Sequence, residues 1–141
     1  MPARIRTILW IALGLMIANF YGCGGGVSSS ESGSGSGTPL PAKVLSWEAP
    51  TSYVDSTPMD PQTELDRFEV YVKTTGSFND ADPPAAALSA IDPTTKNLTN
   101  SFNLANLSPD VTKGPTYYVS LRAVALTGQK SDFSPPVSFS F

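Results

Sequence analysis

Four carboxylates between residues 51 and 66 are the first side chains in this sequence whose types and spacing could do chemistry. Asp55, Asp60, Glu64 and Asp66 carry the hard oxygen ligands that Ca²⁺ takes in proteins. Their spacing matches no calcium-loop signature, and Asp is common in turns because its side chain hydrogen-bonds to nearby backbone. We therefore expect solvated turn residues here and no metal site.

Histidine is absent from the 141-residue chain, which has a single cysteine. The first absence removes the commonest general base and the commonest metal ligand. One cysteine can form neither an internal disulfide nor a thiolate metal site. Serine and threonine are plentiful, but no histidine or positioned lysine accompanies them to activate a hydroxyl. The sequence therefore predicts a protein that is not an enzyme and that uses no cofactor.

The lone thiol, Cys23, directly follows a stretch with the character of a secretory leader. Arg4 and Arg6 precede an almost uninterrupted apolar run over residues 7–21. This run is shorter than the roughly 20 apolar residues that a membrane-spanning helix needs. A basic start, a short apolar run and a small residue, Gly22, before the cut predict a signal peptide over residues 1–22.

The residues Phe20-Tyr21-Gly22-Cys23 resemble a bacterial lipobox. This resemblance implies that the Cys23 thiol carries diacylglycerol, that the chain is cleaved just before it, and that the new amino terminus is also acylated. Several acyl chains hold a protein stably on a membrane, whereas one does so only marginally. The alternatives are an uncleaved anchor, or cleavage nearby that leaves an idle thiol. By resemblance to enterobacterial sorting, Gly24 after the cysteine favours the outer membrane, on its periplasmic face or exposed at the surface.

Residues 24–38 read as a linker, which together with the lipidated Cys23 occupies residues 23–38. Val27 is the one apolar side chain in this glycine- and serine-rich stretch, which cannot bury enough surface to offset the entropy of ordering. We expect a flexible coil with a root-mean-square span on the order of 20–25 Å.

The charge of the chain argues against nucleic acid as a partner. The net charge is −3, and removal of residues 1–22 leaves seven basic and twelve acidic residues, a net charge of −5. The basic residues are scattered rather than clustered, so the electrostatic footprint of a nucleic-acid-binding protein is missing.

Apolar residues alternate with polar ones in short stretches from residue 39 onward, which predicts antiparallel strands. The clearest stretches place apolar side chains at Phe68, Val70 and Val72; at Tyr117, Val119, Leu121 and Ala123; and at Val137, Phe139 and Phe141. Shorter ones offer Val44 and Trp47, and Phe102, Leu104 and Leu107. Residues 85–90, bracketed by prolines, read as a short edge strand or a loop. One apolar face per strand is what two packed sheets require, so the sequence predicts an all-β sandwich of about seven strands.

The stretches "LSWEAPT", "LDRFEVYV" and "LANLSPD…TYYVSLRAVALTGQKSDFSPPVSF" together resemble a bacterial fibronectin type III domain, an immunoglobulin-like β-sandwich, over residues 39–141. The resemblance implies that Trp47 is the buried tryptophan of the second strand. It also implies that Tyr117 forms a tyrosine corner, in which the hydroxyl bonds to upstream backbone. The alternative is another small β-sandwich. The predicted core includes Trp47, Phe68, Val70, Leu107, Tyr117, Val119 and Leu121.

Five aromatic residues lie in predicted loops or opposite the apolar faces: Tyr53, Tyr71, Phe78, Tyr118 and Phe133. A contiguous row of such rings would make a platform for stacking sugars, whereas scattered surface aromatics are normal.

These features predict a non-catalytic, membrane-anchored lipoprotein that presents a binding module for protein–protein contact or adhesion at the bacterial cell envelope. Edge strands and end loops would supply the contact surface, first of all residues 51–66 and 78–91. The candidate contact residues are Tyr53, Asp55, Asp60, Phe78 and Asp80. Two alternatives stay open, a carbohydrate-binding surface module and a structural subunit of an envelope complex.

Overall fold

The computed structural model of the chain describes residues 39–141 and the two-residue strand Leu13–Gly14. These residues form short strands with very little helix. The elements in chain order are β1 (Leu13–Gly14), β2 (Val44–Trp47), α1 (Pro61–Glu64), β3 (Leu65–Lys73), β4 (Ala86–Ser89), β5 (Ser101–Asn103), a 3-10 helix (Leu104–Leu107), β6 (Thr116–Ala125) and β7 (Val137–Ser140).

The strands form two antiparallel sheets, one with the order β1-β2-β5 and the other with the order β4-β3-β6-β7. The long pair β3–β6 runs from Leu65 opposite Ala125 to Lys73 opposite Tyr118. The edge strand β4 covers only Arg67 to Val70 of β3. The prediction of an all-β, antiparallel architecture is confirmed, and residues 85–90 contain an edge strand.

The core lies between the sheets and is built from their alternating apolar positions. Phe68 and Val70 of β3 and Val119 and Leu121 of β6 are completely buried. Trp47 of β2 meets Phe68 edge to face, with ring centroids 5.3 Å apart. β-branched and aromatic side chains pack well on a pleated, half-buried surface, which is why these stretches form strands.

Two of the shorter stretches differ from their predicted form. In β2 the core position is Leu45, which is fully buried, whereas Val44 is 38 % exposed. The strand β5 ends at Asn103, where the side-chain oxygen accepts the backbone N–H of Ala105 at 3.1 Å and caps the 3-10 helix. The cap ends the strand, so Leu104 and Leu107 reach the core from a helical turn.

The segment 51–66 is also more ordered than a loop. Asp60 caps α1, where its carboxylate accepts the Gln62 N–H at 3.0 Å and the Thr63 hydroxyl at 2.9 Å. Because β3 begins at Leu65, Asp66 belongs to a strand.

Serine side chains extend the edge of β6 beyond its pairing with β7, which ends at Val119 opposite Val137. The backbone N–H groups of Leu121 and Ala123 donate to the hydroxyls of Ser134 and Ser131, each at 2.9 Å. In return, the N–H groups of both serines donate to the carbonyls of Leu121 and Ala123, also at 2.9 Å. Residues 129–134 therefore act as a strand substitute and lie against this edge.

Candidate functional site

A groove with a volume of about 440 Å³ opens beside the ends of β3 and β4. Its lining residues are Val72, Lys73, Thr74, Pro83, Pro84, Ala85, Leu107, Asp110 and Tyr117. Of the two charged residues, Lys73 is neutralised by the Asp82 carboxylate at 2.7 Å, and Asp110 is exposed. The groove is therefore lined by apolar residues together with Lys73, Thr74 and the exposed Asp110, and its proline wall belongs to the predicted contact segment 78–91.

The first residues of the sandwich lie at the same end of the molecule as this groove. Lys43 accepts the Leu104 N–H through its carbonyl and donates from its ammonium group to the Ser140 carbonyl at 2.5 Å. Ser140 pairs with Thr116, the neighbour of the groove residue Tyr117. The chain thus enters the fold at the groove end.

Phe78 and Asp80 lie over the outer face of the four-stranded sheet. The Asp80 carboxylate accepts from the Arg122 guanidinium at 2.6 Å. Phe78 stacks on Phe133 with centroids 5.7 Å apart, and Phe133 lies 4.5 Å from the Arg122 guanidinium carbon. Asp80 is itself 88 % exposed at its side chain, so its ion pair with Arg122 sits at the surface. These two candidate contact residues therefore help to hold their own loop on the sheet.

Glu69 lies beneath the Phe78 loop and residues 129–134, with its side chain only 4 % exposed. Its carboxylate accepts from Tyr71 at 2.6 Å, from Lys130 at 2.8 Å and from Arg67 at 2.8 Å. Burial alone would raise the pKa of Glu69, but the hydrogen bonds from Lys130, Tyr71 and Arg67 outweigh it and lower the pKa to about 2. The group is ionised at neutral pH and cross-links β3 to the segment that carries Lys130.

The five aromatic residues considered as a sugar platform have different surroundings. Tyr71 is 2 % exposed and packs edge-on against Phe133, so it presents no face to solvent. Burial and its hydrogen bond to Glu69 raise the pKa of Tyr71 to about 12. Tyr53 packs against the core near α1, away from the others. The expectation that Tyr71 is a surface aromatic is therefore wrong, because residues 129–134 and the Phe78 loop cover that face.

Tyr53, Asp55 and Asp60 lie near the start of β3, at the opposite end from the groove. The Tyr53 hydroxyl donates to Glu64 at 3.1 Å, and the Asp55 carboxylate accepts the Thr57 N–H at 2.9 Å. The hydrogen bonds from Thr57 lower the pKa of Asp55. The structure does not bring these residues together with Phe78 and Asp80.

The acidic residues of segment 51–66 each have local hydrogen-bond or ion-pair partners and do not converge. Asp55 accepts from Thr57 and Asp60 from the first turn of α1. Glu64 accepts from Tyr53, and Asp66 pairs with Arg67. Among residues 39–141, no group of three or more acidic or cysteine side chains is placed to hold a metal ion.

The residues predicted for the core all lie in it. Trp47, Leu107 and Tyr117 are 4 %, 4 % and 7 % exposed, and Phe68, Val70, Val119 and Leu121 are fully buried. The Tyr117 hydroxyl accepts the backbone N–H of Thr112 at 3.1 Å. The indole N–H of Trp47 is buried without a hydrogen-bond partner in the described part of the chain.

Cys23, the predicted linker and the predicted signal peptide apart from β1 lie outside the described residues. Within the described part, none of the helices has the length and apolar character needed to cross a bilayer.

Neither the groove nor the serine ladder, by which we mean the hydrogen bonds of Ser131 and Ser134 to the edge of β6, was predicted from the sequence. Asp110 gave no signal because it follows a proline in what reads as a turn. Ser131 and Ser134 lie in a stretch without periodicity, so neither could be assigned a partner before the fold was known. Arg122 and Glu69 occupy polar positions of alternating strands, and a covering segment cannot be inferred from that alternation.

Comparison of the chain with protein-family models finds no match, and comparisons with curated proteins and with solved structures find none either.

Proposed function

We propose that this chain is a lipoprotein of the bacterial cell envelope that presents a fibronectin type III-like sandwich as a protein-binding module. The observation that carries the binding role is the groove beside β3 and β4, which combines apolar walls with the exposed Asp110. Ligand sites in proteins are typically concave and largely apolar, with a few polar groups that fix orientation. A partner that offers an apolar side chain next to a basic one fits this lining.

Two interior features support the fibronectin type III assignment. Trp47 is buried at the end of β2, the first strand of the structure within residues 39–141, and packs edge-on against Phe68. Tyr117, the second residue of β6, accepts a backbone hydrogen bond from Thr112, five residues upstream. Both are what the resemblance implies for these positions.

Membrane attachment is tested by the intact mass of membrane-extracted protein beside a Cys23→Ala variant. The expected mass is that of residues 23–141 plus lipid, and the variant should lose the lipid. A full-length or unlipidated wild-type mass would contradict the lipoprotein assignment and leave the groove unaffected.

Binding is tested by a photo-cross-linking residue at Pro84, in the groove wall, in the membrane-bound protein within cells. The same residue at the exposed Lys96, which lies outside the groove lining, is the positional control. We expect protein adducts from position 84 at several times the yield from position 96. Adducts at equal yield from both positions would contradict a groove partner.

Two variants connect the adducts to the groove. Ala85→Trp fills the groove from an exposed position, and Asp110→Lys inverts its rim charge; both should abolish the adducts. Ala81→Trp adds the same ring at an exposed position outside the lining and should leave them unchanged. Loss of adducts only in Ala81→Trp would contradict the assignment, and retention on a glycan array without protein adducts would favour the carbohydrate-binding alternative.

A further inference from the structure

The strand β2 has one edge paired with β5 and one edge paired with β1. The Trp47 N–H donates to the Asn100 carbonyl at 3.0 Å, and the Leu104 N–H donates to the Lys43 carbonyl at 2.8 Å. Residues 43, 45 and 47 therefore direct their backbone groups towards β5. Because successive residues of a strand point in opposite directions, Val44 and Ser46 direct theirs towards the other edge.

That other edge is occupied by β1 in antiparallel register, with Leu13 opposite Trp47 and Gly14 opposite Ser46. Both β1 residues belong to the segment 1–22, which the proposed processing at Cys23 removes. The sheet of three strands then retains two, and the backbone groups of Ser46, which lie opposite Gly14, lose their partner.

The residues that remain upstream are poor replacements for β1. Residues 24–38 contain one apolar side chain and are mostly glycine and serine, which are weak strand formers. Pro39 and Pro41 lack the N–H that a ladder requires. An unpaired edge beside buried side chains is a template for another strand.

We propose that processing at Cys23 opens the β2 edge as a strand-accepting site, and that its occupant is an extended apolar strand from another protein. The proposal rests on the processing step of the proposed function but not on the groove. The chemistry of the occupant follows from β1, which belongs to an apolar stretch and seats antiparallel on β2. Main-chain hydrogen bonds to Val44 and Ser46 would supply the affinity in this mode of recognition.

The test compares processed wild-type protein, extracted from membranes, with the full-length Cys23→Ala variant, which retains residues 1–22. Intact mass identifies the amino terminus of each and so tests processing on its own. Hydrogen exchange then measures the β2 amides. We expect Ser46 to exchange at least tenfold faster in the processed form, while Leu45 and Trp47 stay equally protected in both. Equal protection of Ser46 in the two forms of a correctly processed protein would overturn the proposal.

The probe for the open edge is a synthetic peptide of residues 8–17 with three added lysines for solubility. It should restore the protection of Ser46 in the processed protein. The same peptide with Gly14→Pro lacks the N–H opposite Ser46 and should restore nothing. An unmodified peptide that leaves exchange unchanged, or a proline peptide that protects equally well, would overturn the proposal.

Two variants of the protein locate the effect. Ser46→Pro removes an N–H that faces β1 and not β5, and edge strands tolerate proline. Because proline has no amide to exchange, peptide binding to this variant is measured by the fluorescence anisotropy of the labelled peptide, and it should be lost. Ser46→Thr keeps the N–H and should respond as wild type does, and it keeps the test decisive if the proline variant fails to fold. A monomer is expected for the processed protein. A dimer that Ser46→Pro dissolves would overturn the proposal in favour of a second copy as the occupant.

Discussion

At the scale of single residues, Glu69 organises the outer face of the four-stranded sheet. Three donors, Arg67 and Tyr71 of β3 and Lys130 of the segment 129–134, converge on a carboxylate that is almost completely buried. The ionised carboxylate accepts the hydrogen bonds of all three donors, whereas the protonated carboxyl group must lose part of them. The folded state therefore favours the ionised form strongly.

The first prediction is a loss of stability in acid. The pKa of Glu69 is lowered from 4.5 to about 2, so its contribution is fully present above pH 4.5 and is lost as the pH falls towards 2. A shift of this size corresponds to roughly 3 kcal/mol. Urea unfolding from pH 6 to pH 2 should show a decrease of that order.

The matched control for this prediction is Glu69→Gln, which removes the charge and keeps the shape. The variant should be less stable than wild type at pH 6, and its stability should depend less on pH between 5 and 2. An equally steep dependence in both proteins would assign the acid sensitivity to other carboxylates.

Tyr71 affects stability at alkaline pH. Its pKa is raised to about 12, so its contribution to the free energy of unfolding is present below pH 10 and is lost as the pH rises towards 12.

The second prediction concerns the Tyr117 hydroxyl, which accepts the Thr112 N–H at 3.1 Å. Tyr117→Phe keeps the ring stack on Phe139 and removes the acceptor. We expect the free energy of unfolding to fall by about 1 kcal/mol, the net value of a typical hydrogen bond. Tyr118→Phe, on the opposite face of the same strand, is the control and should change little. Equal losses in both variants would contradict a specific role for the Tyr117 hydroxyl.

At the scale of elements, the edge of β6 is completed by two serine side chains. The amides of Leu121 and Ala123 are buried and donate to the Ser134 and Ser131 hydroxyls. The third prediction is that Ser131→Ala and Ser134→Ala each lower the free energy of unfolding by about 1–3 kcal/mol, because each leaves a buried backbone N–H without an acceptor. Chemical denaturation measures the loss.

Ser138→Ala is the control for the serine ladder. Ser138 is exposed on β7, so its replacement should change the free energy of unfolding by less than about 0.5 kcal/mol. If the two ladder variants were as stable as this control, water would be replacing the lost hydroxyls and the ladder would be dispensable.

The strands of this sandwich could be predicted where apolar and polar residues alternate strictly enough to fix the faces. β3, β6 and β7 alternate in this way, which predicts Phe68, Val70, Val119 and Leu121 in the core. β2 contains two adjacent apolar residues, Val44 and Leu45, so alternation cannot decide which of them faces the core. The Asn103 cap and the serine ladder depend on side-chain bonds to distant or neighbouring backbone, which leave no periodic signal. The groove arises because β4 does not extend to the end of β3, and no residue type in the sequence indicates where this pairing ends.

At the scale of the whole molecule, the chain enters the sandwich at the groove end, and the residues Tyr53, Asp55 and Asp60 lie at the other. β6 connects the two ends, and its ten residues span roughly 30 Å at the usual rise of a strand. An anchor at Cys23 would therefore place the groove on the side of the domain that is nearer to the membrane.

The fourth prediction follows from this orientation. Deletion of residues 24–38, which joins Cys23 to Pro39, should leave the thermal midpoint unchanged because the core residues that pack between the sheets begin at Leu40. Cross-linking from position 84 should fall severalfold because the headgroups then crowd the groove. A Gly/Ser replacement of the same length but different order should restore it. Unchanged cross-linking after the deletion would mean that the groove faces away from the membrane.

The position of the groove beside the point of chain entry also bears on how strong its binding must be. A partner held in the same membrane would be confined with the groove within the reach of the linker, on the order of 20–25 Å. Tethering over such distances gives effective concentrations in the millimolar range, so about micromolar affinity suffices for nearly full occupancy. The soluble domain would then bind its soluble partner only weakly. High occupancy would come from the attachment of both proteins to one membrane rather than from the affinity of the groove.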